Sequence, residues 1–288
     1  MTASRYTPPA LRPVEIAKGA YRGPRDVLAR MGHQLTFLLK SLGAVPLTFK
    51  HYSKEVWRLL ADIAWGNGAI VVGGGTVGVM IILGIMGGAT VGIEGYTALH
   101  LLGMDPVVGA ISSFATTREI APLLAATAFT AQAGCRFTAQ LGSMRISEEI
   151  DALESIAIRP MPYLVTTRML AAVLSIVPLY AVALSANYLA AQMMFRVQSG
   201  QGDGTYLYYF QQFLLSGDMV KSFLKVVVFV LLTTFIQCYY GYFASGGPEG
   251  VGVAAGHAIR LAIIVIVFAN LIMTLVFWGT SAGIRISG

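Results

Sequence analysis

Between Asp62 and Glu94 the chain runs about 30 residues without a charged side chain, and four comparable stretches follow. They lie at residues 105–136, interrupted only by Arg118-Glu119, and at 168–196, 225–249 and 260–285. Roughly 20 apolar residues cross a hydrocarbon layer as a helix, so the pattern predicts about five transmembrane segments. With no water to satisfy backbone polar groups, helices are the form such runs take. The first stretch carries Gly73, Gly74, Gly75, Gly78, Gly84, Gly87, Gly88 and Gly92, and it is long enough to be a kinked or re-entrant pair. Only 12% of the residues are charged and 56% are hydrophobic. That is roughly half the charge of a soluble domain, and it excludes disordered and disulfide-scaffold classes. The fold class expected is all-α integral membrane.

Basic residues set the expected orientation. Ten of the 20 Lys and Arg residues precede residue 60: Arg5, Arg12, Lys18, Arg22, Arg25, Arg30, Lys40, Lys50, Lys54 and Arg58. The link from Glu94 to Asp105 has none, whereas the next carries Arg136, Arg145, Arg159 and Arg168. The positive-inside rule then places the N-terminus and the 136–168 link in the cytoplasm, with the 196–224 loop and the C-terminus outside. Arg196, Lys221 and Lys225 lessen that contrast without reversing it. The net charge of +6 reads as basicity on the inner face of a plasma (inner) membrane rather than as a nucleic-acid site. The opening is polar and carries Pro8, Pro9 and Pro13, unlike a cleavable signal, so 1–26 reads as a flexible extension.

Residues 27–64 mix Phe37, Leu38, Leu39 and Leu42 with Arg30, His33 and Lys40, then Val56, Leu59, Leu60 and Ile63 with Lys54, Glu55 and Arg58. This predicts amphipathic helices at the inner leaflet, separated near Pro46, with a small cytosolic hairpin as the alternative. Residues 65–288 form the transmembrane domain.

Gly73-x-Gly75-x-x-Gly78 matches a dinucleotide fingerprint only literally, for it lies in hydrocarbon rather than in a soluble βαβ unit. The four-residue spacings Gly74/Gly78 and Gly84/Gly88/Gly92 instead favour close helix packing, against another span or a second subunit. Arg118 and Glu119 each cost at least about 2.5 kcal/mol at membrane depth. Adjacent helix positions point away from each other, so the two do not simply pair. Either they form a polar patch that meets a substrate head group or gates a passage, or they make ion pairs with other spans, with Lys225 and Asp218 as possible partners.

Over 143–157, Ile146, Ile150, Leu153 and Ala157 form one helical stripe, with Ser143 or Ser147 as a cap and Pro160 and Pro162 as the stop. Glu148, Glu149, Asp151 and Glu154 make its other face a docking surface for a basic partner or a solvated face. Cys135 and Cys238 sit in apolar surroundings and suggest neither a disulfide nor a metal site. His33, His51, His100 and His257 are scattered. There is no phosphate loop, H-E-x-x-H, C-x-x-C or G-x-S-x-G, so nothing assembles an enzyme's site and no bound cofactor or metal is expected.

Arg118-Glu119-Ile-Ala-Pro122, Ala133-Gly134-Cys135, Ala139-Gln140-Leu141-Gly142-Ser143-Met144-Arg145 and Glu148-Glu149-Ile150-Asp151-Ala152-Leu153 closely resemble the signature of the MlaE/YrbE permeases. Asp218-Met-Val-Lys221-Ser222-x-x-Lys225 and Gly241-Tyr242-x-Ala244-Ser245-Gly246-Gly247 resemble later motifs of that family. The character is most similar to the YrbE subunits of actinobacterial Mce systems. The resemblance implies an MlaE-like permease fold with interfacial helices, about five spans and one cytoplasmic coupling helix. It implies a permease subunit of an ATP-driven transporter of fatty acids, sterols or phospholipid-like molecules. Its partners would be a second, different YrbE chain, a cytoplasmic ATPase dimer that uses the ATP, and an MCE hexamer outside. Arg118, Glu119 and Lys225 would bind substrate, and Arg145, Glu148, Glu149, Asp151 and Glu154 would couple to the ATPase. Two departures stand out: a common glutamate is Gln140 here, and an acid of the last span is Asn270. The competing readings are a secondary transporter driven by an ion gradient, which would show an internal repeat, and a non-transporting membrane anchor for an external complex.

Overall fold

The computed structural model describes residues 29, 32–66, 75–200 and 204–279, and among these the backbone is helical with no strand. The 1–26 extension, Gly73, Gly74 and the residues beyond Gly279 lie outside the described residues.

Three helices, α1 (32–43), α2 (Val45–His51) and α3 (Ser53–Trp65), pack across one end of the bundle. The α1–α2 division falls at Ala44, and Pro46 sits in the first turn of α2, where its missing N–H costs no hydrogen bond. Buried Phe37 packs edge-on or tilted against Phe235, Tyr239, Tyr242 and Phe243. Thr48 donates to the Pro162 carbonyl at 3.2 Å. The outward side carries exposed Leu35, Leu39, Leu42, Phe49 and Trp57.

Among the described residues, four helical runs are long and apolar enough to cross a membrane. They are α4 (Gly75–His100), the run Met161–Ser199, α11 (Ser216–Tyr242) and α12 (Gly247–Trp278). The third expected stretch is α9 (Thr167–Ser199), preceded by a π turn, Met161–Thr166. The crossing expected over 105–136 is built from shorter pieces that never leave helical backbone. After a 3₁₀ turn come α5 (Val108–Ala115), a π turn (Thr116–Ile120), α6 (Ala121–Phe129), a second π turn (Thr130–Gly134) and α7 (Cys135–Ile146). A short α8 (Glu149–Ser155) follows, and α10 (Gly204–Phe213) covers the opposite end.

The last two crossings begin and end earlier than their charge-free stretches. Asp218, Lys221 and Lys225 lie inside α11 instead of marking its start, because each has a partner there. Helix α4 is continuous from Gly75 onward, and any break at Gly73 or Gly74 falls outside the described residues.

Alanine-rich α6 runs through the middle, with Ala121, Ala125, Ala126, Ala128 and Phe129 all buried. The glycine spacing finds its partner inside this chain. A Cβ on Gly84, Gly88 or Gly92 would lie 2.6, 2.0 or 2.7 Å from the carbonyl oxygens of Ala183, Asn187 and Ala191. Both helices present these residues every fourth position, so α4 and α9 meet backbone to backbone along two turns.

Candidate functional site

Arg118 and Glu119 occupy the first π turn, closed by the Ala121 N–H donating to the Thr116 carbonyl five residues back. Such single turns recur at functional sites. Pro122 follows and has no N–H to offer the carbonyls of Thr117 and Arg118, which precede it by five and four residues. Side chains of α11 take both. Ser222 donates to the Thr117 carbonyl, and Lys225 Nζ donates to that of Arg118 at 2.7 Å.

The two charges then separate onto two partners. Arg118 Nε and Nη2 reach Asp218 Oδ2 at 2.8 and 2.6 Å, and Trp278 Nε1 donates to Asp218 Oδ1 at 2.7 Å. Lys225 donates to Glu119 Oε1 at 3.1 Å and to Thr274 Oγ1 at 2.7 Å. Asn270 Nδ2 donates to Glu119 Oε2 at 2.7 Å. The Thr274 hydroxyl has one proton for two acceptors, Glu119 Oε1 at 2.7 Å and the Asn270 carbonyl at 2.8 Å. Three cations thus face two anions, the third being Lys221, which donates to the Phe277 carbonyl at 3.1 Å and lies over the Trp278 ring.

Burial grades across this network. The Lys225 side chain is fully buried and those of Arg118 and Asp218 are 9% exposed, whereas that of Glu119 is 36% exposed. Asp218 stands in the first turn of α11 and Trp278 ends α12, so the Arg118 side of the network lies at the α10 end of the bundle. Lys225, seven residues into α11 from Asp218, lies about 10 Å deeper. The bases and acids therefore form a ladder descending from one end of the membrane domain, with Glu119 at its exposed edge.

Comparison with known proteins settles the family. The family model for Permease MlaE matches residues 66–276. The chain belongs to the MlaE permease family. It is 26% identical over 191 residues to a probable ABC transporter permease protein of Rickettsia prowazekii, covering 66% of this chain and 74% of that one. It is 24% identical over 202 residues to the intermembrane phospholipid transport system permease protein MlaE of Haemophilus influenzae, covering 70% and 77%. Protein TRIGALACTOSYLDIACYLGLYCEROL 1 of Arabidopsis thaliana is 24% identical over 203 residues, covering 70% and 58%. Membership in the MlaE family and the four apolar helical runs make this a multi-pass membrane permease.

In this MlaE-family chain the segment 143–157 is two pieces rather than one helix. Helix α7 ends at Ile146, Glu148 takes a left-handed conformation (φ 59°), and α8 begins at Glu149. Ser147 donates back to the Ser143 carbonyl at 2.8 Å and to Glu149 at 3.0 Å, and it does not cap a backbone N–H of α8. The stop also differs. Ala157 turns left-handed (φ 62°), its N–H donates to Glu154, and that of Ile158 donates to Leu153, which is a Schellman closure ahead of Pro160. Of the expected stripe, Ile150 is buried and Leu153 half-buried, while Ile146 and Ala157 are exposed. Glu148, Glu149, Asp151 and Glu154 are all exposed, and Arg145 takes Asp151 at 2.8 Å.

Sequence reasoning named Arg118, Glu119, Lys225, Asp218 and Asn270 and missed Thr274 and Trp278. The signal was their four-residue spacing, Asn270, Thr274, Trp278, along one face of α12. The site and the acidic segment lie apart, toward opposite ends of the bundle, joined by the helical run from α5 to α7.

Proposed function

We propose that this chain is the membrane permease subunit of an ATP-driven lipid transporter, and that Arg118, Glu119 and Lys225 form the polar floor of its substrate site. The observation that carries this reading is the position of Glu119. Lys225, Asn270 and Thr274 hold it at the exposed edge of a network whose Arg118, Asp218 and Lys225 are buried, within a π turn. Burial in lipid is costly for every member, so a ladder of this size without transport use would be an expensive way to brace a bundle. The names of the relatives in Haemophilus influenzae and Rickettsia prowazekii support the phospholipid and ABC parts of the reading.

A separate ATPase binds the α8 end, through Glu148, Glu149 and Glu154 with Arg145 and Asp151 holding the turn between α7 and α8. ATP belongs to that partner. Movement there passes along α7, the two π turns and α6 to Arg118, and reshapes the edge at Glu119. Lipid moves because its affinity differs between the two shapes. A second permease chain of the same family completes the cavity, an MCE assembly delivers the lipid from outside, and the N-terminus is cytoplasmic and the C-terminus outside. The cargo is a fatty acid, sterol or phospholipid-like molecule, whose head meets Glu119 while its tails lie on apolar α12.

The test is uptake of labelled lipid by cells carrying Glu119→Gln. Uptake falls severalfold while the protein level holds. Unchanged uptake removes Glu119 from the mechanism, and uptake abolished by an ionophore but not by ATP depletion replaces the reading with a gradient-driven carrier. Purification of the tagged chain from its native membrane identifies the ATPase, the second permease and the MCE proteins.

A further inference from the structure

A second polar site lies at the α8 end, where α3, α7 and α9 border an open cavity of about 590 Å³. Arg58, Asp62, Gln140, Ser143 and Arg168 line it. Arg168 is 7% exposed. Its Nη1 donates to the Leu164 carbonyl at 2.7 Å, its Nη2 reaches the neutral amide oxygen of Gln140 at 3.4 Å, and its Nε has no hydrogen-bond partner among the described residues. A guanidinium keeps its charge at every physiological pH. The neighbouring arginines differ in having a carboxylate each. Arg58 holds Glu55 at 2.6 Å, and Arg136 holds Asp62 at 2.8 Å. Among the described residues these pairs leave one positive charge without an ion pair of its own, and it is the buried one; Glu55, bonded to Arg58, is the carboxylate whose field still reaches it.

A buried charge without a counter-ion is strongly unfavourable, and a planar guanidinium fork is matched to oxyanions. We propose that this cavity binds a phosphate-bearing anion whose oxygens meet Arg168. Nη2 exchanges its long contact to Gln140 for a charge-assisted bond, and a turn of the guanidinium brings the buried, unpartnered Nε to the anion as a second donor. Ser143, whose hydroxyl now bonds the Gln140 carbonyl at 3.1 Å, supplies a rotatable donor at the rim. The cavity is large enough for a phosphate with a small alcohol attached, so the anion is either a phospholipid head group or free phosphate. None of these residues belongs to the network around Glu119, and the inference does not depend on what that network transports.

The test uses the purified full chain in detergent stripped of lipid, with thermal unfolding read against three probes. These are inorganic phosphate, short-chain phosphatidylglycerol, and the diacylglycerol of the same chain length. Saturable stabilisation by phosphatidylglycerol alone identifies a head-group site, and stabilisation by inorganic phosphate as well identifies a free-anion site. Arg168→Gln weakens that binding about tenfold, the loss expected for one or two charge-assisted bonds. Gln140→Glu supplies the missing carboxylate beside Nη2 without removing any side-chain bulk. It also weakens binding about tenfold, while raising the melting temperature without probe. The second variant decides the matter where Arg168→Gln fails to fold. Equal stabilisation by diacylglycerol, no stabilisation by any probe, or binding unchanged in Gln140→Glu overturns the proposal.

Discussion

Two buried cations stand at opposite ends of this membrane domain, and their surroundings differ. Lys225 is fully enclosed by the Arg118 carbonyl, Glu119 and Thr274, so each of its three donors has an acceptor, one of them charged. Arg168 is nearly as buried but meets only a carbonyl and an amide, with one nitrogen unpartnered. The first arrangement is closed and holds an exposed acid in place. The second is open, and no carboxylate among the described residues bonds its guanidinium. Burial alone therefore says little about a charge in a membrane protein, and the identity of its acceptors decides whether the charge serves the fold or awaits a ligand.

The comparison breaks most readily at Lys225. Lys225→Met leaves Glu119 and the Arg118 carbonyl without their cation and is expected to cost about 2–3 kcal/mol, less than a fully buried pair because Glu119 stays 36% exposed. Arg168→Gln, in lipid-free and phosphate-free detergent, costs less than about 1 kcal/mol, because the group it removes has no ionic partner to strand. Thermal or denaturant unfolding of both variants checks this, and equal losses would dissolve the distinction. Asn270→Asp ranks next. It replaces the amide donor at Glu119 Oε2 with a second carboxylate, at an expected cost of about 1–3 kcal/mol from the unsatisfied acceptor. The same unfolding measurement above and below the carboxylate range separates this charge effect from a packing loss, since low pH restores a donor.

The compensated region was the more legible in sequence, and the reasons are physical. Arg118 and Glu119 stood out because charge is rare in lipid, and Asp218 and Lys225 were natural partners for the same reason. The pairing, Arg118 with Asp218 and Glu119 with Lys225, depends on how α11 is rotated against the π turn, which no spacing rule supplies. Thr274 and Trp278 show only as a four-residue spacing with Asn270, a faint signal for neutral residues in an apolar run. The glycine seam was readable as close packing, while its partner, the Ala183–Asn187–Ala191 face of α9, required the fold. Helix limits depart from the charge-free stretches where paired charges, Asp218, Lys221 and Lys225, lie inside α11. The uncompensated Arg168 shows in the sequence only through the departure at Gln140, and tying that amide to Arg168 requires the packing of α7 against α9.

Gln140→Glu is the substitution that converts the second region into the first. A carboxylate at that position meets Arg168 Nη2 directly, and a gain of about 1 kcal/mol in lipid-free detergent is expected from turning a long neutral contact into a charge-assisted one. The melting temperature of the variant without added anion measures it, and a fall instead of a rise would mean that Arg168 is already satisfied.

The smallest effect on the fold belongs to charges that burial does not govern. Glu148 and Glu154 are exposed and carry no ion pair among the described residues. Reversal of both to Lys should leave the melting temperature within the scatter of the unaltered protein, as surface substitutions away from special features do. Asp151→Lys should cost slightly more, because it breaks the 2.8 Å contact that Arg145 makes across the left-handed turn at Glu148. If these acids are the surface that meets the ATPase, the double reversal removes that partner from the purified complex while the fold is untouched. Full co-purification after the double reversal would assign the acids to solvent, and would leave the turn between α7 and α8 without a role in coupling.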